Sequence, residues 1–312
     1  MEKIALRDAY GAELVELGKK YDNMFVLDAD LTKSTKTADF AKAFPEKFAN
    51  CGIAEGNMMS TAAGLASCGN IVFASSFAMF AAGRAYEQVR NAIAYPKANV
   101  KVVATHAGIT VGEDGATHQC LEDMALMRAI PGMVVISPSD SWQTKAALRF
   151  ACEYQGPVYI RLGRLAVPVI YDENYVFTPG CYNKIADGTD ITLMYTGPFY
   201  EAALKAKEIL AQKGISLKIL DVPSIKPFAD EAVAEAVKDT KAIITIEDHN
   251  TIAGFGSAVC ESLCNIGASC KVVRMGACDT FGKSGTPLEL MAKYGMDGES
   301  IAAKAEELMK TL

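Results

Sequence analysis

Short runs rich in β-branched residues alternate along this chain with longer amphipathic stretches, and that alternation admits few folds. Parallel strands need a crossover of a dozen or more residues, usually a helix, and the spacing here supplies one each time. Strands are expected at Phe25–Leu27, Ile71–Ala74, Val100–Thr105, Met133–Ser137 and Val158–Leu162. Helices are expected between them at Leu6–Lys20, Asn57–Ser67, Met79–Ala94 and Ser141–Cys152, the last opened by a Pro138-Ser139-Asp140-Ser141 turn whose oxygens can cap free amides. After Arg164 the pattern breaks, and residues 166–189 read as a linker. It resumes with strands at Ile191–Tyr195, Ser216–Asp221, Ala242–Glu247 and Lys271–Arg274, and helices at Tyr200–Lys213, Ala229–Val237 and Gly256–Ile266. The expectation is an α/β protein of two domains, 1–165 and 190–312, each a mostly parallel sheet flanked by helices.

The 312 residues carry a net charge of −6. Such a chain has no global basic field for a nucleic-acid backbone, so any phosphate must be held by a few well-aimed cations. The first twenty residues are charged throughout, unlike a signal peptide, and no apolar stretch has the length of a membrane span. Nine cysteines without a CxxC pair read as reduced core thiols of a cytoplasmic protein. Cys260 and Cys264 have a metal-compatible spacing but no histidine close by in sequence.

Two of the three histidines fall in one segment, Thr105-His106-Ala107-Gly108-Ile109-Thr110-Val111-Gly112-Glu113-Asp114-Gly115-Ala116-Thr117-His118-Gln119, directly after the strand KVVAT. Ligands of open parallel sheets bind at the carboxyl ends of strands, and imidazoles with a carboxylate offer acid, base and hydrogen-bonding groups there. His106, Asp114 and His118 are also metal-ligand types, but their spacings are long, and substrate binding or catalysis is the stronger reading. Glu55 precedes a helix of small residues, where it either faces the positive helix end or serves proton transfer. Phe77 and Phe80 read as core or as a stacking surface for a heteroaromatic ring. Arg7, Ser34 and Arg164 are each ordinary alone, although arginine suits phosphate. In the second half, Gly254-Phe255-Gly256 opens a helix that could face an anion near His249, without the spacing of a dinucleotide motif.

Together the segments LDADLTKS, GIAEGNM, ASSFAMF, THAGITVGEDGATHQ, IRLGR, EDHNTIAGFGSAV and FGKSGTPLELMAKYG resemble the pyrimidine-binding and C-terminal domains of the transketolase family. The resemblance implies a thiamine-diphosphate pyrimidine-binding fold followed by a transketolase C-terminal-like domain. Glu55 matches the glutamate that hydrogen-bonds N1′ of the cofactor's aminopyrimidine. Phe77 and Phe80 match the aromatics packed on that ring, and Asp30 matches a residue near the cofactor and the subunit contact. Asp114 matches the carboxylate that recognises a donor hydroxyl, and His118 the catalytic histidine near the reacting C1 hydroxyl and carbonyl. Arg7, Ser34, His106 and Arg164 match phosphate-contacting positions.

Two departures stand out. Gly83 replaces a tyrosine expected one turn after Phe80, with the following segment shifted by one residue. The GDG motif and downstream Asn that hold Mg²⁺ and the diphosphate are absent, so no metal ligand is assigned to this chain. The resemblance therefore implies the C-terminal subunit of a split transketolase, completed by an N-terminal subunit that brings Mg²⁺ and the diphosphate site, in an α₂β₂ assembly acting on sugar phosphates in the pentose phosphate pathway. Deoxyxylulose-phosphate synthases, which share RAYEQV-like sequence, and the β subunits of 2-oxo-acid dehydrogenases share the architecture. The phosphate set argues against the latter.

Overall fold

The computed structural model describes residues 1–312. In chain order the strands are β1 (Lys3–Ala5), β2 (Met24–Asp28), β3 (Phe48–Asn50), β4 (Ile71–Phe77), β5 (Val100–Thr105), β6 (Val134–Ile136), β7 (Val158–Arg161), β8 (Ala166–Pro168), β9 (Asn183–Ala186), β10 (Ile191–Tyr195), β11 (Leu217–Asp221), β12 (Ser224–Lys226), β13 (Ala242–Asn250) and β14 (Lys271–Ala277). The first sheet has the order β12-β6-β7-β5-β4-β2-β3, parallel except for β12. The second has the order β14-β13-β10-β11-β9, parallel except for β9. Both interiors follow from helix-covered faces: every residue of β4, β5, β7 and β10 is buried, as strands hidden on both sides must be.

The sequence expectation of two mostly parallel sheets holds. The expected linker is not structureless. Its start forms β8, which pairs antiparallel with β1, and its end forms β9, an edge of the second sheet. Asp140, ahead of both strands, acts twice. One oxygen caps the helix Ser141–Glu153 by accepting from the Gln143 amide at 2.8 Å, as the turn motif suggests, and the other accepts from the Ile170 and Tyr171 amides. The second unit also lends β12 to the first sheet, where Ser224 and Lys226 pair with β6. One apolar cluster accordingly runs through both units, from Val102 and Met124 to Leu220, Ile225 and Phe255. The cysteines correct the sequence reading: only Cys120 and Cys152 are buried, and Cys68, Cys264 and Cys278 are exposed.

A buried ion pair of the first unit also reaches across to the second. Arg161 at the end of β7 donates from Nε to Asp123 Oδ2 at 2.9 Å and from an Nη to the carbonyl of Asp248, on β13, at 2.6 Å. Tyr159 donates to the same Asp123 oxygen at 2.9 Å. Both charged side chains are almost wholly buried, at 3% and 0% exposure, so removing one strands the other. Asp123→Ala should therefore cost about 3–5 kcal/mol, read as a lower urea midpoint. An unchanged midpoint would mean the pair does not stabilise the fold.

Candidate active site

The carboxyl edge of the first sheet gathers nearly every residue the sequence singles out. β2 delivers the loop of Asp30 and Ser34, β4 ends on Phe77, β5 leads into His106, and β7 leads toward Arg164. Asp28, the last residue of β2, shapes that first loop: its carboxylate accepts from the Leu31 amide at 2.6 Å, Thr35 Oγ1 at 2.6 Å and Thr37 Oγ1 at 2.9 Å. Behind the edge, Tyr10 and Ser75 share a 2.5 Å hydroxyl contact that anchors the N-terminal helix Leu6–Lys20 to β4.

Four rings form one wall. Phe77 stacks on His106 with centroids 3.8 Å apart and planes 23° from parallel, and lies 6.0 Å from Phe80. His118 meets both phenylalanines edge-on, at 6.2 and 5.4 Å. Edge-to-face and offset contacts at these separations are the favourable aromatic geometries.

Glu55 opens the helix Glu55–Ser67 and is 1% exposed. Its Oε2 accepts from Arg84 at 2.9 Å, and its other oxygen makes no hydrogen bond. The guanidinium of Arg84 lies over the Phe80 ring, 4.5 Å from its centroid. Arg84 gets there because the helix after β4 is wound in π turns over Met79–Arg84 and Val89–Ala94, with Ala85 N bonded to Phe80 O. An i→i+5 turn holds one residue more than an α turn. A Cβ on Gly83 would lie 2.3 Å from Met79 Cε, so Met79 now fills the space a larger residue at 83 would claim.

The cations divide into two groups. One Nη of Arg7 contacts His106 Nε2 at 3.2 Å and the Ser34 carbonyl at 3.3 Å, while Arg7 Nε is buried without a partner. Burial, then the charges of Arg7 and Arg164, push the His106 imidazole down to about 3, so it is neutral at neutral pH. Its Nε2 then accepts from Arg7, and Nδ1 carries the proton shared with Thr105 Oγ1 at 2.9 Å. Arg164 instead donates to the Val111 carbonyl and to Glu113 at 2.7 Å, within the loop after β5. Asp114 and Asp30 are exposed; Asp30 meets Asn50 through its backbone amide at 3.0 Å. The structure thus brings Arg7, Ser34 and His106 into contact and leaves Arg164 on a neighbouring ion pair.

A cleft of roughly 770 Å³ opens beside this wall, lined by Phe80, Arg84, Gln119, Glu122, Asn250 and Phe281 among others. Gln119 donates to the carbonyls of Ile109, Gly112 and Lys283, while its own buried Oε1 has no partner. The buried carboxylate with one unengaged oxygen, beside aromatic faces, suits a planar heteroaromatic ring bearing a nitrogen at its edge. No group of three or more His, Cys, Asp or Glu side chains is gathered as a metal site would require.

The second half corrects one expectation. The helix that begins at Phe255 does face an anion, but the anion is the chain's own Glu247, which accepts from the Phe255 and Gly256 amides at 2.6 and 2.8 Å. Burial pushes the Glu247 carboxyl up to about 7 and the His249 imidazole down to about 4. Their 3.5 Å approach is therefore no ion pair at neutral pH. Sequence reasoning missed Arg84, Gln119 and Asp248. Arg84 had a signal, a cation four residues after an aromatic on a helix. Asp248 had none, because its partners Ile109 and Thr110 lie 139 and 138 residues away.

Residues 2–169 match the family of transketolase pyrimidine-binding domains, and residues 180–301 match that of transketolase C-terminal domains. A Methanocaldococcus jannaschii protein named as a transketolase C-terminal section is 53% identical over 98% of this chain and 96% of its own length. A 6-deoxy-6-sulfo-D-fructose transketolase subunit of a Clostridium strain is 40% identical over 99% of this chain and 95% of its own length. Human transketolase is 35% identical over 99% of this chain, which spans only 49% of that protein. Among solved structures, a split-gene transketolase described as an inactive β₄ tetramer superposes with a TM-score of 0.89 at 46% identity, covering 99% of both chains.

The neutral His106 gives a prediction with a definite sign. Below the ordinary histidine value near 6.5 the unfolded chain takes up a proton that the folded His106 refuses. Its contribution to stability is thus full above that value and lost as pH falls toward about 3. Nitrogen-15 correlation spectra should show the His106 ring neutral, with Nδ1 protonated, throughout pH 5–8 (roughly the range of physiological His switching). A titration of this ring near its ordinary value would refute the buried, Arg7-bonded tautomer.

Proposed function

Because this chain belongs to the transketolase family, we propose that it is the C-terminal subunit of a thiamine-diphosphate-dependent transketolase. In this reading a separate N-terminal subunit completes it, and the pair moves a two-carbon ketol unit from a ketose phosphate to an aldose phosphate. The observation that carries the reading is Glu55, a carboxylate 1% exposed at the wall of aromatic rings with one oxygen still unengaged. Support for the split organisation comes from relatives of the same length named as a section or a subunit of a transketolase. Similar subunits are named for sulfofructose and apulose phosphate, so the sugar is left open within anionic ketoses.

The residues present fit an aminopyrimidine ring. Thiamine diphosphate, when bound, supplies the carbon nucleophile that takes the ketol unit. Glu55 would hold the proton at the ring nitrogen, and Phe77 and Phe80 would pack the ring and keep water from it. His118, edge-on to both, stands where it can exchange a proton with a substrate hydroxyl, and exposed Asp114 can accept from another. Arg7, with its buried and unpartnered Nε, would receive the substrate phosphate together with Ser34 and neutral His106. Arg164 would join them by exchanging Glu113 for the phosphate. Asp30, exposed on the loop after β2, would lie near the cofactor and the subunit contact. Diphosphate and Mg²⁺ fall to the N-terminal subunit, in an α₂β₂ assembly of the cytoplasm.

Two measurements test this reading. The purified chain alone should show negligible ketol transfer with thiamine diphosphate and Mg²⁺, and activity should appear on adding the N-terminal subunit; clear turnover without it would sink the split-enzyme proposal. In the reconstituted complex Glu55→Ala should lower kcat by about 10²-fold or more, whereas substantial retained activity would remove the assigned role. Arg7→Ala should raise KM for phosphorylated sugars while leaving KM for unphosphorylated analogues nearly unchanged. An equal effect on both would show that Arg7 does not read the phosphate.

A further inference from the structure

Arg84 reproduces, within the chain itself, the two contacts that an aminopyrimidine would make at this place. A guanidinium is a planar cation with N–H donors along its edge, and it stacks on aromatic faces. Here one Nη donates to Glu55 Oε2 at 2.9 Å while the plane's carbon lies 4.5 Å from the Phe80 centroid. A protonated aminopyrimidine offers the same flat cation with an edge N–H. Arg84 thus already takes both the Glu55 carboxylate and the Phe80 ring that the pyrimidine would use.

We propose that Arg84 is the resident occupant of the pyrimidine seat and must swing aside when the ring enters. This inference rests on the thiamine-diphosphate reading and deepens it. Exchange is physically reasonable on three counts. The carboxylate is 1% exposed while the Arg84 side chain is 51% exposed, so the anion is fixed and the cation has open space to retreat into. Arg84 lines the roughly 770 Å³ cleft, which supplies the path. Losing a buried carboxylate's only hydrogen-bond partner is costly, so an unloaded subunit needs a substitute donor until the ring arrives. The π turn over Met79–Arg84 is what sets the guanidinium on the Phe80 face. Gly83 keeps the adjoining wall free of a side chain, since a Cβ there would meet Met79.

The consequence is a self-competition. Apparent affinity for the cofactor is reduced by the fraction of time that Arg84 sits in the seat. The test uses the chain reconstituted with its N-terminal subunit and Mg²⁺, titrated calorimetrically with thiamine diphosphate. If Arg84 holds the seat about nine-tenths of the time, Arg84→Met should bind about tenfold tighter. It should also show a larger rise in Tm on adding thiamine diphosphate, because its unloaded Glu55 lacks a partner. Arg84→Lys keeps a cation without the planar fork, should fold like the parent, and should bind with intermediate affinity. Equal or weaker binding by both variants would overturn the exchange and make Arg84 a permanent partner of Glu55. Failure of the parent assembly itself to bind thiamine diphosphate would instead overturn the functional reading.

Discussion

The carboxylate of Asp248 is the contact on which the site depends. It rises from β13 of the second unit and accepts from the Ile109 amide at 2.7 Å, the Thr110 amide at 3.3 Å and Thr110 Oγ1 at 2.6 Å. Those residues belong to the loop that carries His106, Asp114 and His118. A carboxylate held by three donors fixes the backbone that offers them, so the second unit sets the loop of the first. Gly108 shows how close the approach is: its φ is +82°, and a Cβ would lie 2.1 Å from the Asp248 carboxyl carbon. Burial pushes the Asp248 carboxyl up, and the Arg161 charge with the loop's donors opposes that rise.

The same economy recurs along the molecule. Charges that the fold must bury are answered by groups of the chain itself: Asp123 by Arg161, Glu247 by the amides at the start of the helix Phe255–Asn265, and Glu55 by Arg84. The first two answers are deep and permanent, since both partners are enclosed. The third differs in that its cation reaches in from an open cleft. That asymmetry separates a structural ion pair from one suited to ligand exchange.

How much of this could be read from sequence depended on the range of the interaction. Periodicity located β5, β10 and the helix Leu6–Lys20 to the residue, because those signals are local. The Asp140 cap was legible for the same reason. β12 was not, since nothing in Ser224–Lys226 says that it crosses to another sheet and pairs with β6. The site divided likewise. The ring wall of Phe77, Phe80, His106 and His118 could be anticipated from strand ends and a family pattern. The cation groups could not be separated, because the retention of Arg164 by Glu113 and Val111 arises only when the loop closes. Arg84 stood four residues after Phe80, and in the π-wound Met79–Arg84 segment its guanidinium lies over that ring.

The placement of β12 bears on how the molecule is made. On the ribosome the strands β2 to β7 emerge first, yet the outer side of β6 has no neighbour until residues 224–226 arrive. For that interval the nascent sheet shows a row of unpaired backbone groups beside Val134, Val135 and Ile136, the kind of edge that recruits wrong partners. A gene cut at the 166–189 segment would make that interval permanent. The covalent seam between the two halves of this chain is thus not where the architecture divides.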